Sequence, residues 1–212
     1  MIQFLIDGGP VMIPIGASSV VALAAFFERL WALRRGRVAP RAVVQKVLEH
    51  SRSGQFTEAR AACAASDSAV ARLLEVAVDW RGGLRSEVKE RIEEVGEREA
   101  AELERWVWVL GTIGALGPLL GLLGTVGGMI VTFNSVRDTG SNGSVEEIAG
   151  GIAQALVCTF AGLTVAIPSL IAHRYLQSKI DLLVGELQEA SLLLLDVVAL
   201  DAKKSKPAAE AT

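Results

Sequence analysis

Two threonines and a glutamine are the residues here whose type and setting could do chemistry. Thr125 lies in GTVGG, Thr159 in CTFAGL and Gln154 in GIAQAL, each inside a run free of Asp, Glu, Lys and Arg. A hydroxyl donates one hydrogen bond and accepts others, so it can serve a proton carrier without ionising. It can equally bond back to the carbonyl one turn earlier in its own helix. An amide in lipid is costly unless it is paired or faces water. Gln154 therefore either bridges two helices or lines a wet space. No carboxylate lies in the core of these runs. If protons cross here, this chain alone lacks a membrane carboxylate to carry them.

The elements that must position these groups are apolar helices. Gly8–Phe27, Trp106–Val136 and Ile148–His173 carry no Asp, Glu, Lys or Arg. Each could cross a bilayer, which needs about 20 apolar residues. In the second run glycines recur at 111, 114, 117, 121, 124 and 128. On a helix that spacing makes one stripe, and Gly117–Gly121 and Gly124–Gly128 are GxxxG steps that admit a close neighbour. Beside it runs Gly121, Thr125, Gly128, Thr132. The third run has the matching stripe Ala155, Thr159, Gly162, Ala166. Counted from the outer helix ends at ~1.5 Å per residue, Thr125 and Thr159 lie ~12 Å and ~13 Å deep. Gly117, Gly121, Gly124, Gly128 and Gly162 are the expected packing residues. The reading is a tight oligomeric bundle that turns hydroxyls toward something polar. Pro118 is expected to bend its helix, and Pro168 to act on shape.

The totals agree. At 212 residues with 51% hydrophobic residues and a mean hydropathy of +0.40, the chain is too apolar for an ordinary soluble domain. With 21% charged residues it is not all membrane. A net charge of −3 without a long basic block gives no sign of nucleic-acid binding. Cys63 and Cys158 fall in different settings and read as free thiols. His50 and His173 lack metal-ligand spacing, so no metal or other cofactor is expected. No cleavable signal peptide is apparent. No nucleophile set or phosphate loop appears, since GLLGTVGG lacks the P-loop lysine; the chain reads as no enzyme. No internal repeat suggests a solute transporter.

The expected organisation is an outer segment over residues 1–10, whose Met1–Ile6 part forms an interfacial helix, and a first span over 11–33. A cytoplasmic helical region follows over 34–105. A second span covers 106–133, a short outer (periplasmic) loop 134–147 and a third span 148–173. A cytoplasmic helix over 174–201 and a disordered tail over 202–212 complete it. Arg34, Arg35, Arg37 and Arg41 set the orientation, because basic residues mark the cytoplasmic side. The N-terminus is then outside and the C-terminus inside. Within 54–80 two short helices break near Ser66-Asp67-Ser68. From Ser86 the charged helical pattern meets no breaker before Trp106, so one helix from Ser86 to Phe133 is expected. Leu176, Ile180, Leu183, Leu187, Ala190, Leu194 and Val197 form a heptad-like stripe, the mark of a packed helix.

At ERLWALRR (28–35), GPLLGLLGTVGGMIVTF (117–133) and GIAQALVCTFAGLTVAIPSL (151–170) the sequence resembles the MotA/TolQ/ExbB proton channel family. It is most like the ExbB/TolQ branch, having three spans rather than four. The resemblance implies an all-α inner-membrane protein of bacteria, forming a homopentamer around the single spanning helices of an ExbD/TolR-like partner. That partner would supply a membrane aspartate. The family's pore threonines fall on Thr125 and Thr159, and its glutamate in GIAEAL falls on Gln154, which keeps polarity but cannot titrate. The implied work is an ion-driven motor acting through a TonB- or TolA-like protein. ExbB-type function energises outer-membrane transport, and TolQ-type function serves envelope integrity and division. A non-conducting membrane scaffold would use the same glycine stripes. The residues leave TonB-type against Tol-type, and proton against sodium, open.

Overall fold

The computed structural model describes the backbone of residues 9–81, 83–139 and 145–205, and the side chains of 9–81, 83–137 and 148–199. Among these residues every regular element is a helix. In order they are α1 Met12–Ala32, α2 Arg35–Val38, α3 Arg41–Arg52, α4 Phe56–Ala64, α5 Ala69–Asp79, α6 Arg85–Glu104, α7 Val107–Thr139 and α8 Val145–Ser205. The expected interfacial helix at Met1–Ile6 and the end of the tail, 206–212, lie outside the described residues. Three helices are long and apolar enough to cross a membrane: Met12–Ala32, Val107–Arg137 and a stretch within Ile148–Ala199.

The chain divides into two compact units, one of Met1–Arg29 with Trp106–Leu176, the other of Leu30–Arg105 with Gln177–Thr212. The first, the span unit, holds most of α1, all of α7 and the first half of α8. Its outward residues are large and apolar: Leu119, Val131, Phe133, Leu156, Phe160 and Ile171 are all exposed. Water would penalise such a surface, whereas lipid tails accept it. Met12, Ile15 and Cys158 form a small core, with Val11, Leu120, Ala161 and Val165 packed on it. This core seats the start of α1 against α7 and α8.

The second, the charged unit, is built like a water-soluble helical domain. Val47, Val70, Leu73, Leu74, Ala77 and Val88 are buried, as are Leu183, Leu187 and Leu194 from the second half of α8. Ser68 starts α5 by accepting the Ala71 N–H at 3.3 Å, as an N-cap serine does. Arg72 lays two N–H groups on the Glu99 carboxylate, both at 2.7 Å, and a third on Asp67 at 2.7 Å. Arg35 pairs with Glu186, and Arg85 with Asp196. Burial, reinforced by the Glu75 and Asp79 carboxylates, pushes the Cys63 thiol up to about 12.

Three expectations about helix ends change. The single helix expected from Ser86 to Phe133 is two helices. Arg105 is extended at φ −49, ψ 136, and Trp106 has φ 65. A tryptophan in that left-handed region costs about 1–3 kcal/mol, so no breaker residue announces it. Its carbonyl accepts the Val109 N–H at 3.2 Å and starts α7 afresh. At the other end α7 runs on to Thr139 through residues read as loop, and α8 begins at Val145; the polar residues 134–139 complete helical turns begun in the apolar run. Pro118 and Pro168 both lie inside their helices without ending them. At its far end the helix covers 202–205 of the expected tail.

Candidate functional site

The candidate site is the seam where α7 and α8 run antiparallel in the span unit. Its register can be followed residue by residue from the space each glycine leaves. A methyl placed on Gly114 would meet Leu170 Cγ at 2.5 Å. On Gly117 it would meet Ala166 Cβ at 2.8 Å and the Gly162 carbonyl oxygen at 2.9 Å. On Gly121 it would meet Thr159 Cα at 2.9 Å, on Gly124 Cys158 Cβ at 2.5 Å, and on Gly128 Ala155 Cβ at 3.3 Å. Gly162 answers from α8: a methyl there would strike the Gly117 carbonyl oxygen and meet Gly121 Cα at 3.1 Å. Going up α7 from Gly114 to Gly128, the partners thus run down α8 from Leu170 to Ala155. Except for Leu170 opposite Gly114, these approaches involve backbone atoms and short side chains, with no long side chain that could swing away. Gly127 lies on the same helix but off the seam, with nothing within 4 Å of such a methyl.

The hydroxyls divide into two kinds. Thr125, 9% exposed, donates to the Leu122 carbonyl of its own helix at 2.7 Å. Thr132, Thr164 and Ser169 likewise bond back to Gly128, Phe160 and Val165. Thr159 differs: its hydroxyl donates across the seam to the Gly121 carbonyl at 3.3 Å. This hydroxyl ties one helix to another. Only a glycine at 121 leaves the carbonyl that open, so the packing stripe creates the acceptor. Thr159 and Gly121 therefore meet, while the hydroxyl of Thr125 closes on its own helix.

Gln154 is half-buried, and its Nε2 lies over Gly9, where a methyl would sit 2.8 Å away. Gly9 has φ 71, a conformation open to glycine at no steric cost. The amide thus faces the turn leading into α1 rather than the Thr159–Gly121 pair. One seam residue was read from the sequence as no more than a boundary mark. His173 places Nδ1 3.0 Å from the Val107 carbonyl oxygen, and its ring packs on Gly111, where a methyl would come within 3.0 Å of Nε2. The sequence carried a partial signal, since Gly111 continues the glycine stripe and so marks a close approach on that face. Cys158 is buried in this unit and Cys63 in the other, neither in a disulfide. Among the described residues no three His, Cys, Asp or Glu gather as a metal set.

The fold and the seam define a multi-pass helical membrane protein whose second and third spans join through glycine and small hydroxyl residues. Comparison with known proteins narrows this class. Residues 65–189 match the MotA/TolQ/ExbB proton channel family, and the chain belongs to that family. It is 36% identical over 180 residues to the putative biopolymer transport protein ExbB-like 1 of Synechocystis sp., covering 84% of this chain and 71% of that one. It is 30% identical over 182 residues to a putative ExbB homolog of Methanothermobacter thermautotrophicus, covering 85% and 64%. The Tol-Pal system protein TolQ of Pseudomonas aeruginosa matches at 36% over 88 residues, 42% of this chain and 38% of that one. The chain is thus a proton channel-like transport protein of the ExbB/TolQ kind.

Proposed function

We propose that this chain is the channel-forming subunit of a motor driven by the proton-motive force in the bacterial inner membrane. It acts with an ExbD/TolR-like single-span partner and energises TonB-dependent outer-membrane transport. The observation that carries the reading is the Thr159–Gly121 contact: a membrane hydroxyl held at the seam of the second and third spans, whose runs 106–136 and 148–173 contain no carboxylate. Such a wall can solvate a carboxyl group brought by another helix, but it cannot carry a proton alone. Five copies around the partner helices, N-terminus periplasmic and C-terminus cytoplasmic, give the arrangement. ExbB-named relatives that match over most of this chain favour the TonB-type assignment over the Tol-type.

In this mechanism a proton from the outer side neutralises the partner's aspartate. The neutral acid turns past the apolar wall and releases the proton on the cytoplasmic side. Thr125 and Thr159 offer hydroxyl contacts along the way, and Gln154 a neutral polar one. One charge moved through 100 mV supplies about 2.3 kcal/mol, so a work stroke takes several protons. The test is proton flux in vesicles holding the chain with its partner. Thr159→Val should abolish flux while native mass spectrometry still finds the oligomer. Changing the partner's aspartate to asparagine should do the same. Unchanged flux in Thr159→Val removes that hydroxyl from the path, and no flux in the unaltered complex leaves a scaffold.

A further inference from the structure

The charged unit carries a patch that the proton path does not use. Between Glu28 and Glu49 stand Arg29, Arg34, Arg35, Arg37, Arg41 and Lys46, with no carboxylate among them. Arg29 is paired with Glu28 and Arg35 with Glu186. Arg34, Arg37 and Arg41 are exposed, and among the described residues no carboxylate pairs with them. Arg34 is the extended residue that precedes α2 and Arg37 lies within it, the Arg37 N–H bonding to the Arg34 carbonyl at 2.8 Å.

The helix that follows adds to the imbalance. α3 opens at Arg41 after Pro40, with no side-chain cap and no acid in its first turn. A helix start carries about half a positive charge, so an arginine there is the unfavourable choice unless an anion is nearby. Trp31, 56% exposed, has the Arg37 guanidinium 4.1 Å from its ring centre. It lies one residue from the end of α1, which is long and apolar enough to span a membrane. The 21 residues of α1 rise about 30 Å at about 1.5 Å each, the thickness of a hydrocarbon core, so Trp31 near its end falls at headgroup depth. An exposed tryptophan under an arginine belongs in that layer.

We propose that Trp31, Arg34, Arg37 and Arg41, with the start of α3, form a binding site for the phosphodiester headgroup of an anionic phospholipid. The guanidinium groups and the open α3 N–H groups hold the phosphate, and Trp31 packs beside the glycerol. This site is independent of the proton path and stands or falls separately.

The test uses the full chain purified in detergent, with bound lipid counted by native mass spectrometry. It is titrated with phosphatidylglycerol and, separately, with phosphatidylcholine of the same acyl chains. The unaltered protein should retain phosphatidylglycerol over phosphatidylcholine. Arg34→Gln/Arg37→Gln/Arg41→Gln should lose the preference, and single changes should each weaken it about fivefold. The corresponding triple lysine variant should keep most of it. Millimolar inorganic phosphate should not displace the lipid. Equal retention of both lipids by the unaltered protein overturns the proposal, as does a preference that survives the triple glutamine change. Displacement by free phosphate reassigns the patch to a soluble anion and overturns it too. Should the triple variant lose its helicity, the three single variants decide.

Discussion

The two units solve the same packing problem with opposite materials. The charged unit buries leucine and valine and surrounds them with ion pairs, among them Arg72 with Glu99 and Asp67. Water drives that arrangement, because apolar area removed from water stabilises by roughly 25 cal/mol per Å². The span unit leaves most of its leucines and phenylalanines outside and puts glycine at the contact. Lipid tails are as apolar as leucine, so nothing drives leucine inward there. Close backbone approach and hydrogen bonds hold the helices instead. The lesson is that burial marks the core in one unit, while the absence of side chains marks it in the other.

The sharpest way to break this contrast is to add bulk to the seam. Gly121→Leu should abolish accumulation of the assembled protein, read by expression and size exclusion, because the new side chain meets Thr159 backbone at 2.9 Å or less. Gly127→Ala, with open space around it, should accumulate normally and melt no lower, since alanine favours a helix over glycine by about 1 kcal/mol. Equal loss in both would mean that glycine serves these positions by flexibility rather than by contact.

The next effect belongs to the charged unit. Leu74→Ala removes a fully buried side chain and should cost about 2–5 kcal/mol, seen as a lower thermal midpoint. A change below about 1 kcal/mol would deny this unit a conventional core. Smaller still is Glu99→Gln. Its partner Arg72 has a side chain 44% exposed, so solvent screening leaves about 0.5–1 kcal/mol. That loss should shrink as salt is raised, and a salt-independent loss would point to packing.

Smallest at neutral pH is the contribution of Cys63. Its folded-state pKa of about 12 lies above the ordinary 9.0, so folding favours the neutral thiol. Its stabilising share is intact below about pH 9 and is lost as pH rises toward 12. Maleimide should leave Cys63 unlabelled at pH 8 in the native protein and label it once urea unfolds the chain. Rapid native labelling would contradict its burial.

Glycine spacing made the seam legible before any coordinates, because steps of three and four name both the stripe and its partners on a matching helix. It could not distinguish Thr125 from Thr159. Both are threonines among small residues, and only the register shows which hydroxyl faces the carbonyl of Gly121. The break at Trp106 was hidden for a different reason: a tryptophan at positive φ is held by its surroundings, and local preference argues against it. Asn134 to Thr139 read as loop by composition, yet the helix already under way carries them along. The heptad-like stripe from Leu176 to Val197 was plain; the structure buries its members from Leu176 to Leu194 and leaves Val197 half-buried.

A contact made by absent side chains has an unusual mutational response. At Gly117, Gly121 and Gly124 even one carbon exceeds the available gap. The loss is therefore a step rather than a slope: alanine should already incur most of what leucine does. Such a seam has no intermediate settings through which its spacing could drift, whereas the leucine core elsewhere in the chain can be retuned one methylene at a time.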